Sequence, residues 1–316
     1  MKFFKRFLPL FLLSALLLSV GSVSGFAEDA PLPYGVSFSE RDDSAFGDYT
    51  DSVGNFYQYT YSLPVVSGDS DYVKAVNAEL NEVFNTYIAP DLLHMESGSS
   101  LVTTYVSWRT AVYKDITSLI VALHNAWDNS EYYVYSFTPE GEQATKEDLF
   151  SALGISGDEF TAAASQILAE QLVIDDPDAR TEEILAVLEE CREKTLAPEN
   201  CNDELPIFLT GNGTVCFVGR IYTPAGAGYY DHLFIIPPED GFLAEELAEF
   251  ARDYYGMRFG HRPEHAASEL NEDGTVTVQL FDLIDDHNST CAWYTISPSD
   301  GTGMDSLGNL VDLTIQ

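Results

Sequence analysis

Apolar and polar positions change their period several times along the chain, and each change marks an element. Tyr57, Tyr59, Tyr61 and Leu63 alternate with Gln58, Thr60 and Ser62, the two-residue period of a half-buried strand that Pro64 closes. Val73, Val76, Leu80, Val83, Phe84 and Tyr87 then recur at three- and four-residue steps, predicting a helix capped by Asp69 or Ser70. Strand-like runs at 101–113, 119–123 and 132–137, separated by turn residues, predict an antiparallel meander. Residues 145–194 are helical in period. Ser156 and Glu159 form an S-x-x-E capping box ahead of Phe160, Ala163, Ile167 and Leu168. Pro177 separates that helix from one whose Ile184, Val187, Leu188 and Cys191 share a face. Strands return at 207–209, 215–222 and 233–236, the first two joined by the hairpin signal Asn212-Gly213. After Pro237-Pro238, a stripe of Leu243, Leu247, Phe250, Ala251 and Tyr254 predicts a helix stopping at Gly256, and strands at 275–283, 291–296 and 310–315 follow. Runs of strands alternating with runs of helices predict an α+β fold. The expected architecture is an antiparallel sheet with helices packed on it, plus a small C-terminal helix-and-strands unit.

The N-terminus follows a different logic. Lys2, Lys5 and Arg6 precede an apolar run at 7–20, and Gly25 and Ala27 supply small residues before a cleavage point. That order is the order of a secretory signal peptide, and the run is shorter than the roughly 20 residues a bilayer crossing needs. Residues 1–27 therefore read as removed on export, leaving an extracellular or cell-envelope protein with no transmembrane helix. Residues 28–52, with Pro31, Pro33 and clustered Asp and Ser, read as a polar linker. The main α+β domain is expected at 53–237 and the small C-terminal unit at 238–316.

Composition narrows the partners. Asp and Glu number 51 against 15 Lys and Arg, a formal net charge of −36 over 316 residues. Hydrophobic residues make up 45% and aromatics 13%, enough to bury a core, so the acidity is not that of a disordered chain. Nucleic acid and anionic membranes would repel such a surface, whereas a basic protein would be drawn to it. The four cysteines, Cys191, Cys201, Cys216 and Cys291, allow three pairings. Cys191 and Cys201 flank a short polar loop and are the expected disulfide, while Cys216 and Cys291 sit in apolar strands where a free thiol is equally ordinary.

Catalytic patterns are few. His261-Arg262-Pro263-Glu264-His265 has the H-x-x-E-H spacing that binds zinc on a helix. Pro263 falls where that helix would have to continue, so a solvated loop is expected there. No G-x-S-x-G elbow, phosphate-binding loop or G-x-G-x-x-G is present, and we expect neither a cofactor nor a catalytic site. The Asp- and Gly-rich stretch from Asp300 through Asp305 and Asn309 to Asp312 lacks the EF-hand order and reads as turns. The segment 222–232 stands out: Tyr222, Pro224, Gly226, Gly228, Tyr229, Tyr230 and His232 combine backbone freedom with aromatic contact area. A binding loop would use those features, and so would a tight turn packing its tyrosines on the sheet.

The stretch 206–232, P-I-F-L-T-G-N-G-T-V-C-F-V-G-R-I-Y-T-P-A-G-A-G-Y-Y-D-H, resembles the RsiV/PdaC-type extracellular domain of unknown function found in Gram-positive cell-envelope proteins. Residues 61–66, Y-S-L-P-V-V, with the helix that carries Asn77, and the stretch from Tyr133 to the Lys146-Glu-Asp-Leu-Phe run, are similar to the same family's opening and middle. The family's catalytic deacetylase motifs and its anti-sigma segment have no counterpart here. The resemblance therefore implies a non-catalytic binding module, with a lysozyme-like basic protein or cell-wall glycan as ligand. The alternative is a zinc-dependent envelope hydrolase using His261, Glu264 and His265.

Overall fold

The computed structural model describes residues 35–125, 129–172, 180–224, 228–284 and 287–316. The expected export segment and Gly226 lie outside the described residues. In chain order, β1 (Ser37–Glu40), β2 (Ala45–Thr50), β3 (Phe56–Tyr61) and β4 (Pro64–Ser67) lead into α1 (Asp71–Val83). A π-helical turn (Phe84–Ile88) joins α1 to α2 (Ala89–Ser97), and the long strands β5 (Thr103–Tyr113), β6 (Ile116–Asn125) and β7 (Ser130–Phe137) follow. Helices α3 (Lys146–Leu153), α4 (Gly157–Glu170) and α5 (Glu182–Thr195) precede β8 (Ile207–Leu209), β9 (Val215–Tyr222) and β10 (Tyr229–Ile235). After α6 (Ala244–Phe259) come β11 (His265–Leu270), β12 (Val276–Ile284), β13 (His287–Ile296), β14 (Thr302–Asp305) and β15 (Leu310–Asp312). The fold is α+β. Its larger sheets run β2-β3-β5-β6-β7 and β11-β12-β13-β14-β15, with β10-β9-β8 and the pair β1-β4 beside them. Pairing is antiparallel throughout except between β3 and β5.

Strand β6 sets the layering because it is apolar on both sides. Leu119, Val121 and Leu123 pack against Val73, Val76, Leu80 and Val83 of α1. On the opposite side, Ile120 joins a second core with Phe208, Leu233 and Ile235. The outer face of the β8–β10 sheet, through Leu209, Phe217 and Phe234, is covered by Leu149 and Phe150 of α3 and by Phe160, Ala164 and Leu168 of α4. Local signals agree with this arrangement. Ser70 Oγ accepts from Val73 N at 3.0 Å, and reciprocal capping boxes start α3 at Thr145 and α4 at Ser156.

Four expectations are corrected. Much of the polar linker is strand: β1 pairs with β4, and β2 with β3. An edge strand is held by backbone hydrogen bonds and tolerates polar side chains, while Val36 and Phe38 still reach the core. Helix α6 does not stop at Gly256 but runs on to Phe259, with Gly260 as its left-handed cap at φ 74°. Gly256 is needed for packing, since a Cβ there would lie 2.5 Å from Tyr105 Oη. The segment 238–316 does not form a core of its own. Phe242, Leu247 and Phe250 of α6 and Val276, Val278 and Ile296 of the last sheet share one core with Ile120 and Phe208, and Gln316 exchanges backbone hydrogen bonds with Leu233 at 2.8 and 2.9 Å. Finally, all four cysteines are free thiols, so the Cys191–Cys201 bridge is not formed. Cys201 is instead buried in the α3–α4 core.

Charge also crosses between the layers. Asp253 of α6 accepts from Arg109 of β5 at 2.8 Å and from Arg262, beyond α6, at 2.8 Å. Arg262 also binds Glu249 at 2.9 Å, and Glu249 binds Arg252 at 3.0 Å. The cavity beside this network is about 20 Å³, room for one water molecule and no ligand. Burial opposes ionisation of Asp253, but Arg109 and Arg262 outweigh it and hold its carboxyl below the ordinary value. A lowered native pKa gives stability that is present above the unfolded value of about 3.9 and is lost as the pH falls through the native one. Asp253→Asn should therefore cost about 3 kcal/mol or more at neutral pH, and the difference from the parent should shrink in urea titrations carried below about pH 4.

Candidate functional site

The described residues of the segment 222–232 lie on or next to the paired strands β9 and β10, with register Tyr222↔Tyr229 and Gly219↔His232. Arg220 makes a bidentate bridge to Asp231 at 2.7 and 2.8 Å, and its guanidinium lies 3.8 Å from the Tyr229 ring centre. The hydrogen bond to Asp231 raises the Arg220 pKa further, so the guanidinium stays charged. The rings of Tyr222 and Tyr229 meet at 6.0 Å. Tyr222 N donates to Thr195 Oγ1 at 3.0 Å, which ties the hairpin to the end of α5. Gly228 takes φ 86° where the strand resumes, and Thr223 N donates to its carbonyl at 3.0 Å. Pro224 and Tyr229 are exposed, Tyr230 is half-buried, and His232 turns back against Phe234 at 5.9 Å. The described part of the hairpin is thus a braced aromatic surface.

A concavity lies elsewhere. A groove of about 340 Å³ runs between α1 and β7, lined among others by Tyr72, Glu79, Tyr133, Tyr135 and Gln143. Tyr132 and Val134, from the opposite face of β7, line it as well, so the groove follows the edge of the strand rather than either face. β7 ends the order of its sheet. Burial, then the nearby Glu131 and Glu79 carboxylates respectively, raises the Tyr133 and Tyr135 hydroxyls above their ordinary pKa, and Tyr133 donates to Glu131 at 3.0 Å. Neither the edge nor the groove was visible in the sequence, because both depend on which strand ends the sheet.

His261, Glu264 and His265 do not converge as a set, although Glu264 Oε2 lies 3.9 Å from His265 Nε2. His261 sits just beyond the cap of α6, whereas His265 begins β11 and stacks on Phe281 at 5.3 Å. The intervening loop is anchored rather than solvated: Pro263 is buried, and Arg252 donates to the carbonyls of Pro263 and Glu264 at 2.9 Å each. The side chains that do meet are His261, Asp282 and Cys291. His261 Nε2 lies 2.7 Å from Asp282 Oδ2, and Cys291 Sγ donates to the same oxygen at 3.2 Å. Asp282 Oδ1 accepts from Glu264 N at 2.8 Å. The carboxylate stands between thiol and imidazole, so the sulfur faces Asp282 and not the imidazole. Burial, then the Asp282 hydrogen bond, pushes the Cys291 thiol up to about 12; this is no nucleophile of the cysteine–histidine type. The Asp300–Asp312 stretch forms turns, in which Asp300 and Asp305 bind the backbone ahead of them at Thr302 and Asn309.

The chain matches no family model, and no curated protein matches it. Among the described residues, no helix is long and apolar enough to cross a membrane.

The braced hairpin makes a direct prediction. Arg220→Ala removes a half-exposed bidentate bridge and a ring contact together, and should lower stability by about 1–2 kcal/mol in urea unfolding. A change below a few tenths would mean that the hairpin is held by its backbone alone.

Proposed function

We propose that the chain is a secreted or envelope-associated binding module without catalytic activity, and that its ligand is a basic extracellular protein. The observation that carries the reading is the groove along β7. It joins an edge strand to four tyrosines and the exposed carboxylate of Glu79, features that favour an extended, positively charged segment laid beside the strand. Tyrosine offers broad contact at small entropic loss. The net charge of −36 adds long-range attraction for a cationic partner. This function is what the resemblance to RsiV/PdaC-type domains implies, with a lysozyme-like protein as the natural first ligand and cell-wall glycan as the second. A zinc-dependent hydrolase acting through His261, Glu264 and His265 gains no support from the positions of those three side chains.

Calorimetry of the purified chain with lysozyme at physiological salt, beside an unrelated protein of similar basic charge, tests the proposal. Selective binding is expected, weakened about tenfold or more by Glu79→Lys. Loss of binding in Tyr229→Ala with Glu79→Lys unaffected would move the ligand to the hairpin. Equal weak binding to both proteins, fading as salt rises, would leave net charge alone at work.

A further inference from the structure

We infer that His261, Asp282 and Cys291 form a binding site for a borderline-soft divalent cation, of which zinc is the best match. The donors come from three places in the fold: the loop after α6, β12 and β13. Their ligand atoms all lie within 4.8 Å of one another. Zinc takes sulfur at about 2.3 Å and nitrogen or oxygen at about 2.0–2.2 Å, which in a tetrahedron places donors roughly 3.3–3.6 Å apart. The present spacings of 2.7 Å (His261 to Asp282) and 3.2 Å (Cys291 to Asp282) need to open by only a few tenths of an ångström or slightly more. One imidazole, one carboxylate and one thiolate give a neutral site with Zn²⁺ and leave a fourth position for water. Thiolate and imidazole are poor ligands for Mg²⁺ and Ca²⁺, so the donor set itself discriminates.

Two features show that the cluster is built rather than accidental. The first is a β-bulge. Leu280 pairs with Ala292 but Phe281 pairs with Thr290, so Cys291 is the extra residue of β13. Tyr294 and Ile296 point into the core, and Trp293 points out. Strict alternation would therefore turn residue 291 outward with Trp293. The bulge instead brings Cys291 to the inner side with Ala292, where it meets Asp282. Bulges re-aim side chains in this way beside functional sites. The second feature is support behind the donors. Glu264 N holds Asp282 Oδ1, leaving Oδ2 for the cation, and Arg252 holds the carbonyls on either side of that amide. Partners of this type orient metal ligands and strengthen the site.

The test uses the purified, reduced chain. Titration with Co²⁺ should produce the near-ultraviolet thiolate-to-cobalt absorption at one equivalent, and Zn²⁺ should abolish it by displacement. Zn²⁺ should also raise the unfolding temperature, while Ca²⁺ at the same concentration should not. Cys291→Ser, a near-isosteric change on a half-buried position, should remove the absorption. His261→Gln should weaken Zn²⁺ binding by about tenfold or more. Absence of the absorption in the parent, its survival in Cys291→Ser, or equal thermal shifts in parent and variants would overturn the inference, since binding would then belong to the acidic surface at large.

Discussion

Asp253 is where the halves of the molecule are tied. Its carboxylate is shared by Arg109, from the sheet built early in the chain, and Arg262, from the loop that opens the last sheet. Apolar burial brings α6 against both sheets but does not fix its rotation or its position along its axis. The shared carboxylate does, because a largely buried charge must meet its partners in good geometry or be left uncompensated. The close approach of Tyr105 to Gly256 goes with that placement, as does the anchoring of the 261–264 loop by Arg252. The His261–Asp282–Cys291 cluster inherits its geometry from the same anchor.

This use of cations bears on the chain's electrostatics. In a molecule with 15 Lys and Arg against 51 acids, Arg109, Arg252 and Arg262 are committed to the interior or the loop beneath it, and Arg220 to the hairpin. Their partners Asp253, Glu249 and Asp231 are withdrawn with them, so the outer surface keeps nearly the whole excess of acids. A long-range field of one sign speeds the approach of a cationic partner but confers no selectivity. Selectivity has to come from a shaped place such as the groove along β7.

Elements with a strong period were legible from the residues alone. The 156–159 capping box, the Asn212-Gly213 hairpin and the β5–β6–β7 meander all appear where the pattern puts them. The misses share a cause. β1 and β2 are edge strands held by their neighbours' backbones, and α2 takes Pro90 into its first turn, where proline is harmless. Gly256 reads as a stop until Tyr105 is seen against it. The candidate metal cluster was least legible. His261 had been singled out with Glu264 and His265 on sequence spacing, but its neighbours come from β12 and β13, and the thiol reaches them only through a bulge. A bulge leaves no mark in a hydrophobic pattern beyond one residue out of phase.

The pairing of Gln316 with Leu233 gives the molecule a direction in time. A polypeptide is made from its N-terminus, so β10 is complete well before residues 314–316 exist to lie beside it. Until they arrive, its backbone donors and acceptors face outward, open to any extended chain nearby. Arg109 likewise waits for Asp253. The young chain can assemble its first sheet early, yet the seam that seals the structure is stitched by residues made well after it.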